Sequence, residues 1–134
     1  MDECIFCKII SGELPSHTVY EDDYAIAFMD IHPTSDGHVV IASKLHAEQL
    51  WDLDTVTYKH TLTAARKVAT YIRQAMSAFR VGMLVEGLEV AHAHIHLIPL
   101  NVGIKQTLNE KAMSDPDHDK LAAIAARIRA EQEA

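Results

Sequence analysis

One run of the chain carries residue types that could do chemistry at close quarters: His92-Ala93-His94-Ile95-His96-Leu97-Ile98-Pro99. Its histidines alternate with apolar residues, the period-two pattern of a half-buried β-strand. On such a strand His92, His94 and His96 share a face. Imidazoles gathered on one face are costly to bury without polar partners or a ligand, so this face is expected to bind or react. Solvated surface histidines are the plain alternative, and the apolar surroundings speak against it. Two chemistries remain. Zinc takes imidazole nitrogens at about 2.0–2.1 Å. Same-face neighbours on a strand are about 6.6 Å apart, which separates His92 from His96 by roughly 13 Å. Two neighbours can converge on one ion, but all three on a straight strand cannot easily do so, and at least one needs another task. The other chemistry is nucleophilic. A neutral imidazole attacks phosphorus and leaves it again, splitting one displacement into two. Flanking histidines can donate hydrogen bonds to the phosphoryl oxygens.

A second candidate is Cys4-x-x-Cys7, a spacing at which two thiolates can share one ion. A redox pair and two isolated thiols are the rivals. The redox motif usually sits between a strand and a helix, and no strand precedes Cys4.

The elements that must position these groups follow from the patterning. Thr18–Glu21 and Tyr24–Met29 are strand candidates, with a turn at Asp22-Asp23. Ser35-Asp36-Gly37 is a turn signal before the apolar strand Gly37–Ala42. A short helix is expected over His46–Trp51, with Trp51 packing it against the core. Between Thr55 and Ala78 the period changes: Tyr58, Leu62, Ala65, Ala69, Ile72 and Met76 form one face of a helix, with Asp54 as N-cap. Strand character returns over Arg80–Glu86, and the histidine strand follows. Asn101–Met113 reads as a loop. Asp115-Pro116-Asp117 then opens a helix with Leu121, Ile124 and Ile128 as its apolar stripe. Without a repeated βαβ pattern, an α+β fold is expected: an antiparallel sheet with helices on one side.

At 134 residues and 49% apolar content, the chain fits one globular domain, here residues 1–134. The net charge of −7 and the scattered twelve Lys and Arg argue against a nucleic-acid polymer as partner. They do not argue against a single nucleotide, which local dipoles and histidines can hold. Met1-Asp2-Glu3-Cys4 lacks the features of a signal peptide. No segment approaches the roughly 18 continuous apolar residues of a membrane span, so a cytoplasmic protein is expected. In that reducing setting the cysteines read as ligands or thiols and not as a disulfide.

The histidine stretch resembles the signature of the histidine triad (HIT) family of nucleotide hydrolases and transferases. The likeness extends through Cys4–Pro15, Val19–Asp22, Ala27–Ile31, Gly37–Ile41 and Lys44–His46, so it covers about residues 4–100. It implies a five-stranded antiparallel sheet with two helices, usually dimerising into one continuous sheet. It implies a purine nucleotide or nucleoside phosphoramidate as substrate. His94 would attack the α-phosphorus to form a nucleotidyl-histidine, and water would release the nucleoside monophosphate. His96 and His38 would contact the phosphate or orient the site. Asp30 matches the acid that binds the ribose hydroxyls, a role its acceptor oxygens suit. Phe6, Ile9, Phe28 and Ile31 match the walls of the base pocket, although core packing would look the same. Some bacterial members hold a structural zinc, with ligands matching Cys4, Cys7, His46 and His92. No organic cofactor is implied. His17, His32, His60 and His118 read as surface residues, with His32 close enough in sequence to edge the ribose site.

The chain departs from that family before the triad. Many members carry a longer loop with a glutamine and a hydroxyl residue beside the phosphate. Here Leu88 and Glu89 take those positions. A carboxylate beside a phosphate is repulsive unless it is protonated, turned away or paired. Glu89 is expected to face solvent or to serve as a proton donor. Ala42-Ser43 also replaces a usual proline. The departures leave a second reading open: a nucleotide-binding regulatory module with incidental turnover.

Overall fold

A computed structural model describes residues 3–102 and 114–133. Beyond Val102, the loop expected up to Met113 lies outside the described residues. Eight main elements follow one another: α1 (Ile5–Ser11), β1 (Thr18–Glu21), β2 (Ala25–Met29), β3 (Val39–Ser43), α2 (Thr55–Ala75), β4 (Arg80–Leu84), β5 (His94–Leu100) and α3 (His118–Ala130). The strands form one sheet in the order β1-β2-β3-β5-β4, with every neighbouring pair antiparallel. The expected sheet is therefore present. Among the described residues it carries three α-helices, one more than the resemblance implies.

The sheet has two working faces. Ala25, Ala27, Met29, Val39, Ile41, Ile95 and Leu97 pack against α2 and α3 through Ala64, Ala65, Val68, Ile72, Leu121, Ile124 and Ile128. Ile26, Phe28, Val40 and Ala42 form a smaller cluster with Phe6 on the other face, beside Ile9 and Val90. The register seats the chemistry. Val40 pairs with His96 and Ala42 with His94, so both histidines stand on the α1 face while Ile95 and Leu97 point to the helical core.

The additional helix has a local cause. The Cys4 sulfur accepts from the Cys7 amide, and Gly12 closes the far end at φ 86°, a left-handed conformation that suits glycine. Seven residues are too few to register as a helical period in a sequence.

Other expectations need correction. His92 lies before β5, which starts at His94. The short helix is a 3₁₀ turn at Leu50–Asp52. Leu50 fills the core there, whereas Trp51 is 65% exposed and only approaches Tyr58.

The long helix starts as expected, with Asp54 accepting from the Thr57 amide. Its buried stripe is displaced toward Thr57, Thr61, Ala64, Val68 and Ile72. Thr61 can be buried because its hydroxyl donates to the Thr57 carbonyl at 2.7 Å. The helix ends at Ala75, and Ser77 adopts φ 50°. Asp117 caps α3 by accepting from the Lys120 amide. Among the described residues, no helix is long and apolar enough to cross a membrane.

Candidate active site and metal cluster

Two backbone groups set the proton positions of the histidine network. The His38 Nδ1 accepts from the Thr34 amide at 3.0 Å. In the neutral ring the proton must then sit on Nε2, which lies 2.9 Å from His96 Nδ1. His96 Nδ1 is thereby the acceptor, and its own proton belongs on Nε2. His94 is held in the opposite sense. Its Nδ1 lies 2.6 Å from the His92 carbonyl, which can only accept, so Nδ1 donates and Nε2 keeps its lone pair. One ring offers a lone pair at Nε2 and its neighbour an N–H at the same position.

Both rings reach the wall of a cavity of about 1020 Å³ between α1 and the sheet. Phe6, Ile9, Phe28, Asp30 and Ile31 line the same cavity. Phe6 meets Phe28 edge-on at 5.3 Å between centroids and meets His94 at 5.0 Å. Asp30 Oδ1 accepts from the His32 amide, and Oδ2 lies 3.4 Å from His38 Nε2. His38 itself is buried behind His96 and is not among the residues lining the cavity.

Cys4, Cys7, His46 and His92 converge beneath this wall. His92 Nδ1 lies 3.3 Å from the Cys4 sulfur, 3.5 Å from the Cys7 sulfur and 3.0 Å from His46 Nδ1. Cys7 lies 3.2 Å from His46 Nδ1. Zinc bonds of about 2.3 Å to sulfur and 2.0–2.1 Å to nitrogen place tetrahedral ligand atoms roughly 3.3–3.8 Å apart, and the observed separations come within a few tenths of an ångström of that range, so the set fits. The second layer agrees. His92 Nε2 donates to the Ser43 carbonyl at 2.7 Å, which leaves Nδ1 with the lone pair a metal needs. Burial holds the His92 imidazole below its usual value, and the neighbouring His46 and His94 add to the effect against the opposing bond to Ser43. Burial first, then the bond and charge of Cys4, pushes the Cys7 thiol up to about 11. A divalent cation would replace that thiol proton.

Asp30, His38 and His96 also lie close enough together to hold an ion. The Thr34 amide argues against it, because it occupies the His38 Nδ1 lone pair and leaves the proton on the nitrogen that would have to ligate. This cluster is a hydrogen-bond relay.

The HIT domain model matches residues 11–102. The chain belongs to the HIT family. An uncharacterized HIT-like protein of Borreliella burgdorferi is 39% identical over 106 residues, 74% of this chain and 76% of the relative. The adenosine 5'-monophosphoramidase of Saccharomyces cerevisiae is 34% identical over 135 residues, 97% of this chain and 83% of its own. A HIT-like protein of Bartonella henselae involved in cell-cycle regulation, solved with an unknown ligand, superimposes with a TM-score of 0.87 at 34% identity, covering 98% of both chains. A zinc-bound histidine triad protein of Mycobacterium smegmatis gives 0.83 at 26% identity, covering 98% of this chain and 94% of the other. Cys4 and Cys7 precede the stretch that the HIT model matches.

Against this HIT frame the remaining residues sort themselves. Glu89 is exposed yet lines the cavity, together with Glu86 and Val90. His17 and His118 also line it, and they bond to each other at 2.9 Å although 101 positions apart in the chain. His32 lines it as well, and its buried Nδ1 has no hydrogen-bond partner among the described residues. Of the four histidines outside the motifs, His60 alone is not among the residues lining the cavity; it stacks on Tyr24 at 3.8 Å. Sequence reasoning missed the Thr34 amide, the Ser43 carbonyl and the His92 carbonyl. Backbone groups are present at every residue, so no sequence signal marks them.

Proposed function

We propose that this HIT protein is a nucleotidyl hydrolase acting at the α-phosphorus of a purine nucleoside phosphoramidate or dinucleoside polyphosphate. The observation that carries the reading is the His94 ring. Its Nδ1–H is committed to the His92 carbonyl, so the Nε2 lone pair belongs to a cavity with an apolar flank and with Asp30 on its wall. The base lies among Phe6, Ile9, Phe28 and Ile31. Asp30 accepts from the ribose hydroxyls. His94 Nε2 forms a bond to phosphorus as the bond to the leaving group breaks, and the leaving group departs with its electron pair and takes up a proton. Water then forms the new P–O bond and loses a proton, and the N–P electron pair returns to Nε2. His96 Nε2–H donates to a phosphoryl oxygen as charge gathers there. His38 positions His96 through their shared bond. The name of the yeast relative supports the phosphoramidate class.

Cys4, Cys7, His46 and His92 would hold zinc, whose contribution is a cross-link between α1 and the loops beneath the site. These ligands need reduced thiols, which suits the cytoplasm. A homodimer that continues the sheet past the β4 edge belongs to the same reading, and Met83 on that edge is half exposed.

The test is a substrate screen with mass detection of a nucleotidyl adduct on His94. Adenosine 5'-phosphoramidate and a dinucleoside polyphosphate are the probes. Release of nucleoside monophosphate, lost in a folded His94→Ala variant, is expected. No turnover and no adduct on either probe defeats the catalytic reading. The Glu86 and Glu89 carboxylates on the cavity wall favour a second reading, a nucleotide-binding regulatory module. Its mark is nucleotide affinity unchanged by His94→Ala with negligible turnover.

A further inference from the structure

The His92–Ala93 peptide plane belongs to both the metal cluster and the nucleophile. Its carbonyl accepts from His94 Nδ1 at 2.6 Å, and its N–H, that of Ala93, donates to the Ala47 carbonyl at 2.8 Å. A peptide unit is rigid, so these bonds act on one plane. Both of its anchors adjoin metal ligands. Ala47 directly follows His46, and the carbonyl belongs to His92 itself. The chain from Lys44 to Gln49 has no helix or strand of its own. Lys44 is tied to the Tyr24 carbonyl and the Glu21 carboxylate, and beyond it His46 and Ala47 are placed by the Ser43–Leu45 and Ala93–Ala47 bonds and by the cluster.

The same cluster reaches the opposite wall of the cavity. Helix α1 has seven residues, too few to persist alone. Cys4 caps it and Cys7 lies in its first turn, with Phe6 between them. Phe6 and Ile9 of that helix line the cavity.

We propose that the Cys4–Cys7–His46–His92 cluster is a positioning device for this site: when metal fills it, it aims His94 through the His92 carbonyl and holds the base wall through α1. Metal loading then sets nucleotide affinity and turnover, not only stability. The inference rests on the reading of His94 and its cavity given above.

The experiment compares wild-type protein, His46→Ala and His46→Cys. The cysteine variant restores a zinc ligand, and His46 is not among the residues that line the cavity. The readouts are zinc content, AMP affinity by calorimetry, kcat and KM with adenosine 5'-phosphoramidate, and amide exchange over residues 4–11 and 91–94. His46→Ala is expected to lose zinc, weaken AMP binding and lower kcat, each by about tenfold, the scale seen when groups that orient a site are removed. Exchange should rise over both segments while β2 and β3 remain protected. His46→Cys should regain zinc, affinity and protection together. Zinc-free His46→Ala that binds AMP like wild type, with equal protection of residues 91–94, overturns the proposal. If that variant does not fold, chelation of the wild-type protein replaces it, and simultaneous loss of protection in β2 and β3 reduces the metal to a global staple and overturns the proposal too. If wild-type protein binds no AMP, the nucleotide reading fails by itself. The exchange comparison still decides the clamp: unchanged protection over residues 91–94 overturns it, and selective loss supports it.

Discussion

His38 Nε2 stands 2.9 Å from His96 Nδ1, and this bond determines which His96 nitrogen carries the proton. The Thr34 amide is the start of the relay, because it claims the other His38 nitrogen. His38→Ala is expected to lower kcat on the order of 10–100-fold with a smaller change in KM, since His96 then loses its preferred tautomer. Steady-state kinetics on adenosine 5'-phosphoramidate check the split. A KM effect alone would mean that His38 only shapes binding.

Asp30 shares an oxygen with this relay and offers its carboxylate to the cavity wall. Asp30→Asn should raise KM for a ribonucleotide substrate by about tenfold, the scale of a hydrogen bond to a charged group. A 2',3'-dideoxy substrate should show little further loss in the variant. Equal losses on both substrates would remove the ribose role.

The Asp22 carboxylate closes the β1–β2 turn by accepting from the Tyr20 hydroxyl and from the amides of Tyr24 and Ala25. Burial pushes its pKa up, but those bonds outweigh burial and hold it below 3.8. A depressed folded value stabilises the fold above the unfolded value, and that stability is lost as pH falls through the folded one. Asp22→Ala should cost about 1–3 kcal/mol at pH 7. Urea titrations at several pH values should show the gap narrowing below 3.8.

Gly37 immediately precedes His38 at φ 96°, and a Cβ there would stand 2.8 Å from Met76 Cγ and 3.0 Å from Pro99 Cγ. Gly37→Ala is expected to destabilise the protein by about 1–3 kcal/mol. A smaller drop in activity should follow as His38 shifts. Denaturant unfolding measures the first and kinetics the second. Wild-type stability in the variant would mean that the turn readily relaxes.

Much of this arrangement was legible in the residue pattern. The alternation through His94-Ile95-His96-Leu97 assigns faces in any strand, and the register of β5 on β3 agrees with it. Asp54 and the length of the apolar stripe announced α2. The stripe's centre was misjudged because Thr57 and Thr61 look polar until their bonds are seen. Trp51 was misjudged because a large apolar side chain is a good core candidate on average, while the 3₁₀ turn gives that place to Leu50. The helix carrying Phe6 left no periodic trace.

What the sequence determined by itself was the supply of chemistry: imidazoles on one strand face, a thiol pair at ligand spacing, and the likeness to the HIT family. Those are properties of residue type and local period, which follow from the covalent chain. The tertiary structure decided the division of labour. It took His92 off the strand, brought His46 to the cysteines, assigned the protons of His38 and His94 through nearby backbone groups, and passed that assignment to His96 through His38, 58 positions away in the chain. It also set His17 beside His118 at the cavity. Hydrogen-bond tautomers and ligand geometry depend on tenths of an ångström between distant segments, and only the packed sheet supplies that precision.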